Sequence, residues 1–303
     1  VGNRHVEGSY VDQFETAVAK YTKRKYAIAV GSGTDALYFA LRSKGIGPES
    51  TVLCPAVSYL ATAEAIKRTG ATIHFVDVDN KGLISKLPDF GLPNAVVYVN
   101  LFGNLAEYAT LKEYCVKRQI PLIEDAAQSQ GAVYGKTPSG AMGDISVFSF
   151  DPMKNMPSFG GGGMVLTDNK EVYDTVISLR RHGTSGTHTY GYNSLISEDH
   201  ANQLLLILSK FDRLQNMREK ICKRYRKNIP EVQIICAGPN TKSSNHKLVI
   251  LTDRRNELKS YLGTKGIETK IHYSKTLNPN ETYPMADSLC KKSLSLPIYP
   301  FLK

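Results

Sequence analysis

The chain has 303 residues, 42% of them hydrophobic, and a formal net charge of +10 from 38 basic and 28 acidic side chains. That length supports one large domain plus a smaller one, and no apolar run approaches a membrane span. Five scattered cysteines (Cys54, Cys115, Cys222, Cys236, Cys290) form no CxxC pair, which argues against a zinc site or disulfide frame and for a reducing cytoplasm.

In chain order, Phe14, Val18 and Tyr21 mark an amphipathic first helix that ends near Thr22. A strand over Tyr26 to Val30 runs into GSGTDAL, Gly31 to Leu37. Thr34 is the expected N-cap, with a helix from Asp35 whose free N–H groups and dipole suit a phosphate. The same string fits the G-x-G-x-x-A form of the dinucleotide fingerprint. A dinucleotide unit also needs an acid at the end of the next strand, and here the strand from Thr51 ends in Cys54-Pro55, so that reading is disfavoured.

Tyr59 falls at the next loop-to-helix junction, where an aromatic ring can stack on a planar ligand. Further strands are predicted at Thr72 to Val78, Ala95 to Val99, Pro121 to Glu124, Ile145 to Phe150 and Val165 to Thr167, separated by helical patterns. Such alternation predicts an α/β domain with a mostly parallel, seven-stranded sheet. Asp125 lies just past a strand's carboxyl end, where open α/β sheets keep their ligand sites, though the same residue could cap a helix.

Between the last two strands lie Lys154 and four consecutive glycines, Gly160 to Gly163. Glycines let backbone adopt positive φ or approach a ligand closely. A lysine over that turn, walled by Phe148, Phe150, Met153 and Phe159, would be desolvated. Desolvation lowers an ammonium's pKa and makes the amine nucleophilic towards a carbonyl.

Past Gly191-Tyr192-Asn193, one long helix is expected from Glu198 to Asn228. It carries an apolar stripe and a basic face (Arg213, Arg218, Lys220, Lys223, Arg224) that reads as a solvated surface rather than a nucleic-acid site. Short strands at Val232 to Cys236, Lys247 to Leu251 and Lys270 to Tyr273, with a helix near Arg255 to Thr264, predict a small α/β lobe. The expected boundary divides a large domain, 1–205, from a small C-terminal one, 206–303, that includes the linking helix.

Lys154, Asp125 and a phosphate loop at Gly33 to Asp35 together form the set that pyridoxal phosphate (PLP) requires. These requirements are an amine for its aldehyde, a carboxylate for its ring nitrogen and helix N–H groups for its phosphate. At this point the sequence strongly resembles the DegT/StrS family of sugar aminotransferases, within the type I fold of PLP-dependent transferases. The resemblance runs through FETAVAKY, SGTDAL, GATIHFVDVD, IEDAAQSQGA, GDISVFSFDPMKN, GGMVLTD, the HG and GYN runs and SLPIYP.

By position, the resemblance implies that Lys154 binds the cofactor covalently and Asp125 pairs with the pyridinium nitrogen. Gln128 would contact the ring hydroxyl and Tyr59 would stack on the ring, while Gly33, Thr34, Asp35 and Ser149 would hold the phosphate. Asn193 would reach the phosphate of a neighbouring subunit, making a homodimer with shared active sites. Arg181, His182 and His272 are candidates for contacting substrate. The implied activity is amino transfer from glutamate to a keto sugar on a nucleoside diphosphate, with no metal, nucleic acid or membrane involved.

Three positions depart from the family pattern. Leu195 replaces a common basic residue, Gly161 a polar one, and Asp151 a histidine or aromatic whose replacement puts a carboxylate near Lys154. Alternatives are a PLP-dependent sugar dehydratase, against which Lys154 argues because such relatives carry histidine there, and a non-catalytic relative that binds PLP or a nucleotide sugar.

Overall fold

The computed structural model describes residues 8–89, 91–184 and 190–302. Helix α1 (Ser9–Thr22) leads into strand β1 (Tyr26–Val30), helix α2 (Gly33–Arg42), strand β2 (Thr51–Pro55), helix α3 (Leu60–Arg68) and strand β3 (Thr72–Val76). Then come β4 (Ala95–Val99), α4 (Tyr108–Arg118), β5 (Leu122–Asp125) and two short strands, β6 (Val133–Tyr134) and β7 (Thr137–Pro138). Strands β8 (Ile145–Ser149) and β9 (Gly163–Thr167) and helix α5 (Lys170–Arg180) complete this part.

Seven of these strands form one sheet in the order β1-β9-β8-β5-β4-β2-β3. β9 pairs antiparallel with both β1 and β8, and the remaining ladders are parallel. The six strands other than β9 therefore bring their carboxyl ends to the same edge, and β9 begins there. The seven-stranded, mostly parallel sheet is as the sequence predicts.

Alternating side chains divide between the two faces, as the pleat requires. Ile28, Val52, Val97, Ile123, Val147 and Val165 pack beneath α2, α3 and α5. On the other face Ala27, Ala29, Phe148, Met164 and Leu166 meet α1, while Leu53, Val96, Tyr98 and Leu122 form a second cluster. A buried clamp fastens the first helix: Arg180 Nη1 donates to Glu15 Oε1 at 2.6 Å and to the Ala29 carbonyl at 2.7 Å. The same pleat separates two adjacent acids. Glu124 points into the protein and accepts from Asn100, Ser139, Ser146 and the amides of Gly140 and Met142. Asp125 lines the cleft described below.

The rest of the described chain contains α6 (Glu198–Leu208), α7 (Phe211–Asn228), β10 (Thr241–Lys242), β11 (Leu248–Leu251), α8 (Arg255–Thr264), α9 (Pro284–Lys292) and β12 (Ser293–Leu296). β11 and β12 pair antiparallel, and Leu248, Ile250 and Leu294 form a small core with Cys222 of α7. β10 pairs with β6, tying this region to the loop after β5.

Several expectations need correction. The helix expected over 198–228 is two helices, α6 and α7, interrupted at Ser209-Lys210. The apolar stripe Leu204, Leu208, Phe211, Leu214 keeps helical spacing across the break, so periodicity alone does not reveal it. Strands expected at 232–236 and 270–273 are reduced to single bridges, Ile234↔Ile250 and Lys270↔Ser295. The third strand ends at Val76, not Val78. Helix α9 and strand β12 were not anticipated; Pro284 reads as a breaker, yet proline is well accommodated in the first helical turn. On α7 the basic residues are mostly exposed, but Arg218 is buried. Among the described residues no helix is long and apolar enough to cross a membrane, and no cluster of metal-ligating side chains occurs.

Candidate active site

A cleft of about 710 Å³ opens at the edge where the parallel strands end. Its base is built by the segments that follow β1, β2, β5 and β8 and by the turn that precedes β9.

After β1, the N-cap of α2 is Ser32, not Thr34. Ser32 Oγ accepts from the Asp35 amide at 3.0 Å and its carbonyl accepts from the Ala36 amide at 2.9 Å. The amides of Gly33 and Thr34 are therefore the unused donors of the first turn, and both residues line the cleft. Asp35 does not line it. Its carboxylate pairs with Arg68 at 2.6 Å and accepts from Ser194 Oγ at 2.8 Å.

Close packing holds this turn in place. A Cβ on Gly33 would come within 2.7 Å of the Ser149 Cβ, and one on Gly163 within 2.2 Å of the Ser32 carbonyl oxygen. Ser149, the last residue of β8, lies beside the turn and lines the cleft. Within the glycine run, Gly161 and Gly162 take φ of 80° and 131°, values that disfavour any side chain.

Asp125 is buried at the end of β5. Its Oδ2 accepts from Thr62 Oγ1 at 2.8 Å, its Oδ1 from the Ala127 amide at 3.2 Å, and Ser58 Oγ lies 2.9 Å from Thr62 Oγ1. Burial raises the carboxyl pKa, and the Thr62 and Ala127 hydrogen bonds and the Lys154 charge work against that rise.

Lys154 sits in the turn after β8, its amide donating to the Asp151 carbonyl at 2.9 Å. Burial pushes its ammonium below the usual lysine range, and the charges of Asp125 and Asp151 only partly oppose this. The Asp151 carboxylate raises the lysine's pKa, but burial outweighs that rise. None of the four expected walls encloses the amine as the sequence reading has it. Met153 and Phe159 are 63% and 89% exposed, while Phe148 and Phe150 lie in the core under α1.

Neighbouring Asn155 is buried, its Oδ1 accepting from His246 Nδ1 at 3.1 Å and its Nδ2 donating to the Ser244 carbonyl at 3.0 Å. Since an amide oxygen only accepts, His246 Nδ1 carries the proton in this contact. The imidazole is held neutral by burial and by the positive charges around it.

Gln128 and Tyr59 also line the cleft. Gln128 Oε1 accepts from the Phe102 amide at 3.0 Å, and its Nε2 donates to Tyr273 Oη at 3.1 Å. The Tyr59 ring is 58% exposed and 6.5 Å from that of Tyr273. His272 lines the cleft, whereas Arg181, His182 and Asn193 are exposed and outside this chain's own cleft. Sequence reasoning missed Thr62, His246, Lys247, Lys270 and Tyr273. The last two flank His272 in the KIHY run, which was the available signal for them.

The residues present fit a phosphorylated pyridine aldehyde. Two free helix amides and a hydroxyl stand at one place, a buried carboxylate at another, and a desolvated amine in the same cleft.

A model of the DegT/DnrJ/EryC1/StrS aminotransferase family matches residues 2–303. The chain belongs to this family. A family relative, the dTDP-3-amino-3,4,6-trideoxy-alpha-D-glucose transaminase of Streptomyces venezuelae, is 32% identical over 321 residues, covering 99% of this chain and 85% of that protein. A second, the pleiotropic regulatory protein of Geobacillus stearothermophilus, is 30% identical, with 99% and 87% covered. The crystal structure of S. venezuelae DesV in complex with a ketimine intermediate superposes with a TM-score of 0.94 at 31% identity, covering 100% of this chain and 87% of that one. The fold is the type I fold of PLP-dependent transferases.

Proposed function

We propose that this chain is a PLP-dependent aminotransferase that moves an amino group from glutamate to the keto group of a nucleotide-linked sugar. The observation that carries the reading is the convergence of Lys154, Asp125 and the Gly33–Thr34 amides on one cleft. The transaminase activity named for the Streptomyces venezuelae relative supports the sugar class. Bound there, PLP supplies an electron sink beside the carbon that loses its proton.

The protein's own residues do the rest. Gly33 and Thr34 amides and Ser149 Oγ hold the phosphate. The Asp125 carboxylate keeps a proton on the ring nitrogen, and Thr62 and Ala127 fix that carboxylate in place. Lys154 Nζ, its basicity lowered by burial, takes the proton from the amino acid's α-carbon and returns it elsewhere. The full set of groups favours catalysis over a purely regulatory binding role. Five free cysteines, four of them buried, support a reducing, cytoplasmic location.

The experiment is to follow the two half-reactions by stopped-flow absorbance. Glutamate should convert the cofactor to its amine form and release 2-oxoglutarate, and a 3-keto or 4-keto nucleotide sugar should reverse the change. If no such sugar does so while a simple 2-oxo acid sustains turnover, the sugar assignment fails and an amino-acid aminotransferase remains.

The same reading makes the working unit a homodimer in which Asn193 serves the neighbouring subunit's phosphate. Its support is that Asn193 is exposed and absent from its own cleft, and that Tyr190, Phe159 and Met153 are 85%, 89% and 63% exposed. Such apolar exposure suits an isologous contact. A Lys154→Ala chain mixed with an Asn193→Ala chain should give heterodimers with one intact site and recover part of the lost activity. A monomer in sedimentation, with unchanged cofactor affinity in Asn193→Ala, overturns the shared site.

A further inference from the structure

Besides the Gly33–Thr34 turn, the cleft is lined by His246, Lys247, Lys270 and His272. The local fold brings the two lysines together. Lys247 directly precedes β11, whose first residue Leu248 pairs with Leu296 of β12. Lys270 lies on the other side of β12, exchanging backbone hydrogen bonds with Ser295 at 3.1 and 2.8 Å. Both lysines thus flank the same end of β12. The Lys247 amide is pinned to the Phe102 carbonyl at 3.1 Å, and His272 Nδ1 is engaged by Ser295 Oγ at 2.8 Å.

Positive charge on this wall has little to balance it. Among the described residues neither Lys247 nor Lys270 makes an ion pair. Arg218 is buried and donates to the Ile298 carbonyl at 3.0 Å, and among the described residues it has no carboxylate partner. The mutual effects agree. Burial, and then the charges of Lys154, Lys270 and Arg218, push Lys247 down to about 8, against a single opposing charge on Asp151. Burial and the charges of Lys247, Lys270 and Lys154 push His272 down to about 4. Like charges held together in a partly desolvated cleft raise the local potential, and an anion lowers the energy of the whole group.

We propose that Lys247 and Lys270 form an anion subsite on the small-lobe wall, which binds an oxyanion group of the substrate at a distance from the Gly33–Thr34 cradle. The inference rests on the aminotransferase reading for the identity of that group: the side-chain carboxylate of a dicarboxylic amino donor, or the diphosphate of a nucleotide-linked acceptor. The anion subsite itself does not depend on that reading. His272, with Nε2 as its remaining ring nitrogen, adds a neutral polar contact to the same wall. Binding there takes up a proton on Lys247, so affinity should fall as pH rises above about 8.

The test is calorimetric titration of the cofactor-loaded protein with inorganic pyrophosphate, UDP and glutarate, comparing wild type with Lys247→Met, Lys270→Met and Lys247→Arg. At least one probe should bind wild type and weaken by ~10-fold or more in each methionine variant, the loss of about one charge-assisted hydrogen bond. Lys247→Arg should retain binding and abolish the fall above pH 8, because arginine stays charged. Loss confined to glutarate identifies the donor carboxylate, and loss confined to UDP and pyrophosphate identifies the diphosphate. Binding unaffected by either methionine variant, or no binding of any probe to wild type, overturns the subsite. If a probe binds as expected but no amino transfer is found with any acceptor, the subsite stands and the aminotransferase reading falls.

Discussion

Replacing Lys154 with alanine is expected to reduce amino transfer by ~10⁴-fold or more, the upper range for loss of a positioned acid–base group. On the proposed function one side chain both attaches the cofactor and moves the proton, so both contributions disappear together. Borohydride treatment of the loaded wild-type protein should leave the cofactor on the peptide containing Lys154. Label on another lysine, or near-normal turnover by Lys154→Ala, removes this residue from the chemistry. A pH signature accompanies it. Because burial lowers the Lys154 pKa, more of the amine is neutral at a given pH than for an exposed lysine. The rate of cofactor loading into the empty protein should therefore rise with pH and level off below the range of ordinary lysines. A plateau in that ordinary range contradicts the desolvated site.

Asp125→Asn is expected to lower turnover by at least ~10²-fold, the scale of one strong electrostatic contact in catalysis, while leaving cofactor bound. The Gly33 and Thr34 amides and Lys154 remain in that variant, so the anchoring groups are intact. The loss has two parts. An amide cannot carry the negative charge that, on the proposed function, keeps the ring nitrogen protonated. It also offers only one acceptor where Asp125 now accepts from both Thr62 Oγ1 and the Ala127 amide. Thr62→Val separates these, because it removes the hydroxyl and spares the charge, and it should cost far less than Asp125→Asn. Equal losses in the two variants would show that the hydrogen bond, not the charge, is what matters. Unchanged turnover in Asp125→Asn would reduce this acid to a turn cap.

That Asp125, Ser149 and Lys154 share one cleft was legible because each of them ends or follows a strand. Short β-branched runs place Asp125, Ser149 and Lys154 at strand ends by simple counting, and GSGTDAL announces a helix start. What spacing leaves open is which hydroxyl caps that start. Ser32 and Thr34 are both good caps, and Ser32 has the position because its Oγ reaches the Asp35 amide. The walls of Lys154 were misjudged for a related reason. Neighbours in sequence alternate across a strand, so Phe148 and Phe150 go to the core and leave the lysine to be desolvated by other parts of the fold. The Lys247 and Lys270 wall was the least legible. Lys247 and Lys270 lie 23 positions apart and meet only through β12, a four-residue strand whose Ser-Leu alternation is too short to mark it. The break between α6 and α7 was hidden by a stripe that continues through it.

The place of β1 at the margin of the large sheet has a consequence for how the molecule assembles. Its ladder partner is β9, in the register Val30↔Gly163, so the strand made first waits for one made more than a hundred residues later. Until that long loop closes, at an entropic cost that grows slowly with its length, the Gly33 turn has neither Gly163 nor Ser149 to press against. All seven strands of the sheet are complete by Thr167, whereas Lys247 and Lys270 are still to come. Synthesis from the amino terminus thus supplies the Gly33-to-Lys154 side of the cleft first and the Lys247 and Lys270 wall afterwards. Slow, non-local pairing of this kind makes the nascent chain's most exposed interval the stretch of synthesis between β1 and β9.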